Sequence, residues 1–362
     1  MIVTTLFEPL SLARGPAMKN RFMLAPLTNL QSHADGTLSD DEYRWLTMRA
    51  AGGFALVSTA ASHVQKAGQG FAGQIGVFGD EHLEGLARLA AGIKSRGANA
   101  AVQLHHAGNR SPRELVGTPV GASDDAKSGA RALTTGEIET LRDDFIAAAR
   151  RAEKAGFDAV EVHGAHGYIL SQFLSPEINR RDDRYGGSLA NRARLLFEII
   201  DGIRAACRPD FQLGLRLSPE RFGLRLMEIR EVAAQVLAEG RIDYLDLSLW
   251  DVAKEPNEEA HKGRSLLGYF IDLPRGKVRL AAAGKVMSAR TALGVIEAGC
   301  DFVVIGRAAV LRHDFPERVR RDAAYESPAL PVTSQYLVEE GLGPAFVDYM
   351  RSWPGFVDAA GG

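Results

Sequence analysis

Residues 160–187 read VEVHGAHGYILSQFLSPEINRRDDRYGG and hold two imidazoles and a phenol within six positions, His163, His166 and Tyr168. Residues 157–162 form a short apolar run of strand type, so these three groups are expected where a buried strand gives way to a loop. A loop of that length inside a domain is often functional. Imidazoles three positions apart can both donate to one oxygen, and a phenol with a pKa of about 10 keeps its proton at neutral pH. The set suits polarisation of a carbonyl beside a proton donor. His-x-x-His also occurs in metal sites, but no convincing third ligand accompanies it, and Glu161 is expected on the strand face opposite His163. The plainer alternative has both histidines satisfying buried backbone groups, with Tyr168 in the core.

Outward from this stretch, strand-like and helix-like segments alternate. Residues 21–25, 54–61, 100–104, 212–217, 244–249, 279–283 and 302–305 are further short apolar runs. Residues 38–51, 82–96, 135–155, 189–206, 227–239 and 289–298 carry apolar residues at helical spacing. Ser39 and Asp40 are candidate caps of the first helix, and Thr135 of the third, which has Glu137 and Glu139 in its first turn. Gly97, Gly156 and Gly299 stand at helix ends. Strands this short and apolar, alternating with helices eight times, predict an α/β fold closed as a (β/α)8 TIM barrel. An open doubly wound sheet would want a G-x-G-x-x-G turn after an early strand, and none is present.

The remaining segments fit around that barrel. Residues 5–18, with Pro9 and the Gly15-Pro16 pair, read as an N-terminal hairpin cap, and the polar residues 108–132 as an excursion over the strand ends. Residues 250–273 read as loop with one short helix, and the tail from 332 contains a helical segment. No internal boundary is evident. One domain is expected over 1–362, with the barrel over about 20–322 and a C-terminal extension over 323–362.

Composition narrows the class. The chain is 46% hydrophobic and 24% charged with a formal net charge of −2, ordinary for a soluble globular protein. Acids interrupt its basic runs, as in RRDDR at 180–184, so neither a nucleic-acid-binding nor a membrane-binding face is expected. Cys207 and Cys300 are too far apart for a CxxC cluster and suit a reducing compartment. The N-terminus lacks a basic segment followed by an apolar core, and no apolar run reaches about 18 residues, so a cytoplasmic location is expected.

In such a barrel the functional face lies at the C-terminal ends of the strands. Ala25, Pro26, Leu27 and Thr28 stand there after the first strand, Gln103, His105 and His106 on the third, and Arg216 on the fifth. Gly284 and the Gly306-Arg307 pair end the seventh and eighth. Glycines let backbone N–H groups approach an anion, and those two loops form the usual phosphate pocket of such barrels, so a phosphorylated ligand is expected. A guanidinium in an apolar strand is costly unless paired, either with a ligand carrying negative charge or with a structural carboxylate. Gln103 offers a donor and an acceptor, which suits the edge of a pyrimidine-like ring.

KNRFMLAPLTN (19–29), VQLHHAG (102–108), EVHGAHGYILSQFLSPEINRRDDRYGGSLANRARL (161–195) and DFVVIGRA (301–308) together resemble the old yellow enzyme family of FMN-dependent ene-reductases, over about residues 6–320. The resemblance implies a barrel holding FMN non-covalently, with NADPH or NADH as reductant and an enone or nitroalkene as the substrate whose activated C=C bond is reduced. It also implies a ping-pong cycle in one shared pocket. By similarity, Ala25, Pro26, Leu27 and Thr28 lie along the flavin. Gln103 and Arg216 bind its pyrimidine end, Thr59 or Ala60 gives a backbone contact, and Gly284, Gly306 and Arg307 hold the phosphate. His163 and His166 would grip the substrate oxygen and Tyr168 would protonate the α-carbon. No metal is implied.

The sequence departs from the pattern at several positions. Thr28 stands where one branch of the family has cysteine, and Leu30 where that branch often has a substrate-touching tyrosine. His105 stands where a tryptophan or small residue is common, and is expected to line the pocket. Arg351 near Trp353 resembles an arginine that some members insert into a neighbouring subunit's site; a homo-oligomer is one implication and a surface arginine the other. Two rival functions are weighed. A relative fused to an iron–sulfur cluster and a nucleotide-binding domain, acting on dienoyl thioesters or amines, needs a longer chain and clustered cysteines. An FMN carrier or sensor without turnover would not need the His163, His166 and Tyr168 set.

Overall fold

The computed structural model describes residues 3–358, so the first two and last four residues of the expected domain lie outside it. Eight parallel strands close into a barrel: β1 Phe22–Leu24, β2 Leu56–His63, β3 Asn99–His105, β4 Ala159–Gly164, β5 Gln212–Leu217, β6 Tyr244–Ser248, β7 Arg279–Ala283 and β8 Phe302–Ile305. β1 pairs with β2 on one side and β8 on the other, so no edge is left open. The outer layer consists of α1 Asp40–Ala51, α2 Leu83–Lys94, α3 Thr135–Lys154, α4 Leu189–Ala206, α5 Leu226–Glu239, α6 Gly268–Ile271, α7 Ala289–Glu297 and α8 Phe315–Arg321. This is the expected (β/α)8 TIM barrel. Its weakest unit is the sixth, where α6 has only four residues.

The cap of α3 lies one residue earlier than the sequence suggests. The Thr134 hydroxyl accepts the Glu137 N–H at 3.2 Å and Glu137 Oε2 accepts the Thr134 N–H at 2.8 Å, a reciprocal capping box. Thr135 is the first helical residue, and its hydroxyl donates to Asp183 instead. Thr134→Ala is expected to cost about 1 kcal/mol. Thermal melting followed by circular dichroism would register it as a drop in Tm.

Strand alternation sorts the barrel interior into layers. At the N-terminal end Met23, Leu56, Ala101, Ala159, Tyr244, Ala281 and Phe302 pack together. Residues 10–18 plug this end as a hairpin, in which Leu10 and Met18 exchange both backbone hydrogen bonds at 2.9 and 2.8 Å and join the same apolar cluster, while residues 5–7 of the expected hairpin belong to a 3-10 turn, Val3–Phe7. One step of two residues further along lie Gln103, Glu161, Arg216 and Asp246, all buried; Gln103 pairs in register with Glu161 and Arg216 with Asp246, while Arg216 stands opposite His163 on its other side. The next step brings His105, His163 and Ser248 to the C-terminal mouth. Glu161 is therefore on the same face as His163, contrary to expectation, because residues i and i+2 of a strand point the same way. β4 also runs through His163 and Gly164, so His163 is a strand residue rather than the first of a loop.

Two further segments shape the mouth. The stretch after β4 contains a six-residue helix, Ile169–Leu174, with Tyr168 at its N-terminus. The C-terminal extension holds two helices where one helical segment was expected, α9 Ser334–Glu339 and α10 Pro344–Arg351. The Gly343 N–H donates to Gln31 Oε1 at 2.7 Å, and Phe346 meets the buried Trp45 ring edge-on at 4.8 Å. These contacts hold α10 against the C-terminal end of the barrel. Among the described residues no helix is long and apolar enough to cross a membrane.

Candidate active site

All eight strands deliver residues to one cavity of about 370 Å³ at the C-terminal mouth. Ala25, Pro26, Leu27 and Thr28 follow β1, Ala61 comes from β2, Gln103 from β3, His163 from β4, Arg216 from β5 and Ser248 from β6. β7 leads into Gly284, Lys285 and Val286, and β8 into Gly306 and Arg307. His166 and Tyr168 complete the wall beside His163. Thus the structure gathers Ala25, Pro26, Leu27, Thr28, Gln103, His163, His166, Tyr168, Arg216, Gly284, Gly306 and Arg307 around one space.

Three expected site residues do not line it. Thr59 is fully buried in β2, where the pairing register with β3 shifts between Ser58 and Ala61. Such a bulge re-aims side chains, and here Ala61 reaches the cavity. The Thr59 hydroxyl instead accepts the Gln103 N–H at 3.2 Å and supports that residue from behind. Leu30 has φ +57° and sits outside the wall. His105 is 1% exposed and lies behind His163 and Tyr168 rather than on the cavity surface.

The two polar residues facing the cavity from the barrel floor are each fixed by a carboxylate. Gln103 Nε2 donates to Glu161 at 2.7 Å, so its Oε1 remains as an acceptor. Arg216 Nε lies 3.0 Å from Asp246, and its Nη2 donates to Ser248 at 3.3 Å. The two readings of Arg216 therefore meet in one residue, an ion pair on its inner side and a cavity wall on its outer. Burial and the charge of Asp246 raise the Glu161 carboxyl to about 7; burial also raises Asp246, against the pull of Arg216.

The imidazoles form a chain. His105 Nδ1 lies 3.0 Å from His163 Nδ1, His163 Nε2 lies 2.8 Å from His166 Nδ1, and His166 Nε2 lies 2.7 Å from Ser248 Oγ. The turn that brings His166 back onto His163 needs two successive left-handed residues, His166 at φ +60° and Gly167 at φ +72°. A Cβ on Gly167 would also strike the Phe222 ring at 2.8 Å. Burial holds all three imidazoles below their ordinary range, His166 at about 3 with Arg216 and Arg110 adding to the effect, so they are neutral at pH 7. Burial moves Tyr168 the other way, above 10, although the Arg110 guanidinium 4.8 Å from its ring opposes this. His106 is structural: its Nδ1 accepts the Gly108 N–H.

Several wall residues carried no functional signal in the sequence reading. Phe346, Tyr349, Met350 and Trp353 of the C-terminal extension close one side of the cavity. Their i, i+3, i+4, i+7 spacing marks one face of a helix and is the pattern that could have found them. Trp250, 65% exposed at the rim, stands on Arg221 at 5.3 Å. Arg351 does not join the wall; it is half-exposed, 2.7 Å from Asp348 and hydrogen-bonded to Ser334.

This donor set fits FMN. An acceptor and a guanidinium stand together for the pyrimidine edge, an apolar ledge of Ala25, Pro26 and Leu27 offers a flat face, and the Arg307 guanidinium has no hydrogen bond or ion pair among the described residues. Gly284 holds φ +156° and packs so tightly that a Cβ would lie 2.7 Å from the Asp251 nitrogen, which keeps that backbone bare beside the cavity. Among the described residues no group of three His, Cys, Asp or Glu side chains is arranged to hold a metal ion.

Comparison with known proteins agrees. The family model described as NADH:flavin oxidoreductase / NADH oxidase matches residues 5–326. The probable NADH-dependent flavin oxidoreductase YqiG of Bacillus subtilis is 37% identical over 87% of this chain and 87% of its own length. An NADPH dehydrogenase of Clostridium acetobutylicum is 36% identical over 66% of this chain and 72% of its own. The solved old yellow enzyme homologue from Zymomonas mobilis superposes with a TM-score of 0.80 at 25% identity, covering 95% of this chain and 99% of that one. With the barrel, the FMN-compatible pocket and a family match over most of its length, this chain belongs to the old yellow enzyme family of NAD(P)H-dependent FMN oxidoreductases.

Proposed function

We propose that this protein reduces the activated C=C bond of α,β-unsaturated carbonyl or nitro compounds, with nicotinamide and substrate using one pocket in turn. The observation that carries this reading is the convergence of His163, His166 and Tyr168 on the same cavity that Gln103 and Arg216 face from below. Bound FMN supplies hydride chemistry that no side chain can provide. The residues of this chain bind, orient and protonate. Gln103 Oε1 and Arg216 hold the pyrimidine end of the cofactor, and the fixed positive charge of Arg216 favours its anionic reduced form. Gly284, Gly306 and Arg307 hold its phosphate, and Thr28 lies along its ring.

For the substrate, neutral His163 and His166 can each donate from Nε2 to a carbonyl or nitro oxygen once that oxygen replaces their present partners, His166 Nδ1 for the first and Ser248 Oγ for the second. This draws electron density away from the alkene. Tyr168 has no hydrogen bond engaging its hydroxyl among the described residues and keeps its proton, so it can deliver that proton to the α-carbon. The pocket positions all three groups before the reaction begins, which is the larger part of what a protein adds to such chemistry.

The visible spectrum of the purified protein, recorded anaerobically, tests the proposal. A yellow flavin band that bleaches with NADPH or NADH and returns with 2-cyclohexenone is the expected result. A band that bleaches but recovers only with oxygen would overturn the alkene-reductase reading.

A further inference from the structure

We propose that His105 is a positioning residue that fixes the tautomer of His163, and through it of His166, so that both rings carry their single proton on Nε2 as donors for a substrate oxygen. This inference rests on the proposed role of the histidine pair. His105 ends β3 fully buried, its ring 5.1 Å from that of His163 and edge-on to Tyr168 at 4.4 Å. It touches the cavity only through these two residues.

The argument is one of hydrogen-bond accounting. Three neutral imidazoles and one hydroxyl stand in a row, joined at 3.0, 2.8 and 2.7 Å. A neutral imidazole has one N–H and one bare nitrogen, so choosing the donor of one bond chooses them all. In one direction His105 donates from Nδ1, His163 from Nε2 and His166 from Nε2 to Ser248. The Ser248 oxygen also accepts from Arg216 Nη2. In the opposite direction Ser248 donates to His166 Nε2, both His166 and His163 carry their protons on Nδ1, and His105 carries its proton on Nε2. That last atom is buried with no hydrogen-bond partner among the described residues.

The second direction therefore leaves an orphaned N–H in the interior, while the first leaves only an empty lone pair. Orphaned buried N–H groups are the rarer of the two. The first direction also makes the site a pair of donors. In the second, the nitrogens that would meet a substrate oxygen are bare and repel it. His105 decides between them because, among the described residues, it alone meets His163 Nδ1.

Two variants of the FMN-loaded enzyme test this. His105→Leu removes the donor but keeps an apolar group, and His105→Asn offers a carboxamide N–H close to where Nδ1 stood. With 15N-imidazole labelling, His163 of the native enzyme is expected to show a protonated Nε2 and a bare Nδ1. His105→Leu should shift both signals toward a mixture, and His105→Asn should restore them. The dissociation constant of 4-chlorophenol should rise about 10-fold in His105→Leu, the worth of one hydrogen bond lost from the pair's geometry, and return most of the way in His105→Asn.

A native His163 protonated on Nδ1 would overturn the proposal, as would nitrogen signals that do not change in His105→Leu. Equal loss of 4-chlorophenol binding in both variants with unchanged nitrogen signals would reduce His105 to packing and overturn it too. If the nitrogens behave as expected while native enzyme binds no 4-chlorophenol, the tautomer assignment holds and the substrate reading of the pair fails.

Discussion

Tyr168→Phe is expected to slow re-oxidation of the reduced enzyme by 2-cyclohexenone by about 10²- to 10⁴-fold, the usual worth of a positioned general acid, while leaving reduction by NADPH nearly unchanged. The substitution removes one oxygen and keeps the ring. That ring is held edge-on by His105 at 4.4 Å and by His163 at 5.2 Å, with the Arg110 guanidinium 4.8 Å from its centre, so phenylalanine can occupy the same place. Only the proton is lost. Burial raises the phenol above its ordinary 10, so the donor form is complete throughout the neutral range, and the His166 imidazole, held at about 3, adds no ionisation there. The supply of the proton should accordingly not vary from about pH 6 to 9, since neither group changes its charge in that window, and a change in the native re-oxidation rate centred near 7 would report Glu161 behind Gln103 instead. Stopped-flow absorbance separates the two half-reactions. Equal slowing of both would mean that Tyr168 shapes the pocket and is not the proton donor.

The sequence carried the architecture well and the wiring of the site poorly, for identifiable reasons. β5, β7, β8 and α4 are delimited by their apolar pattern alone, because a strand buried on both faces has little choice of residue. The bulge in β2 left no such trace. It moved Thr59 into a supporting role and put Ala61 on the wall, and no local composition announces a shift of that kind. Glu161 was misplaced by face, although its i+2 relation to His163 was available from the sequence. That error hid the carboxylate which turns Gln103. The hydrogen bonds from His105 to Ser248 join residues 143 positions apart in the chain, and only closure of the barrel brings them together. Phe346, Tyr349, Met350 and Trp353 had a legible helical face, but nothing in it indicated that the face would cover the barrel mouth.

Replacing His163 and His166 together by alanine is expected to weaken 4-chlorophenol binding by about 10²- to 10⁴-fold, from two hydrogen bonds to a charged oxygen at roughly 1.5–3 kcal/mol each. The prediction depends on the imidazoles being neutral single donors, since two cations would bind the anion more strongly and two bare nitrogens would repel it. Desolvation holds both below their ordinary range, with Arg216 close to each. The rival for the anion is Arg216 itself, which lines the same cavity. Its guanidinium is already engaged by Asp246 through Nε and by Ser248 through Nη2, which leaves it less to offer a second anion. Flavin absorbance of the double variant would report that the pocket still forms. A dissociation constant unchanged from native, with flavin bound, would move the anion site from the histidine pair to Arg216 and would leave Tyr168 without an oriented alkene to protonate.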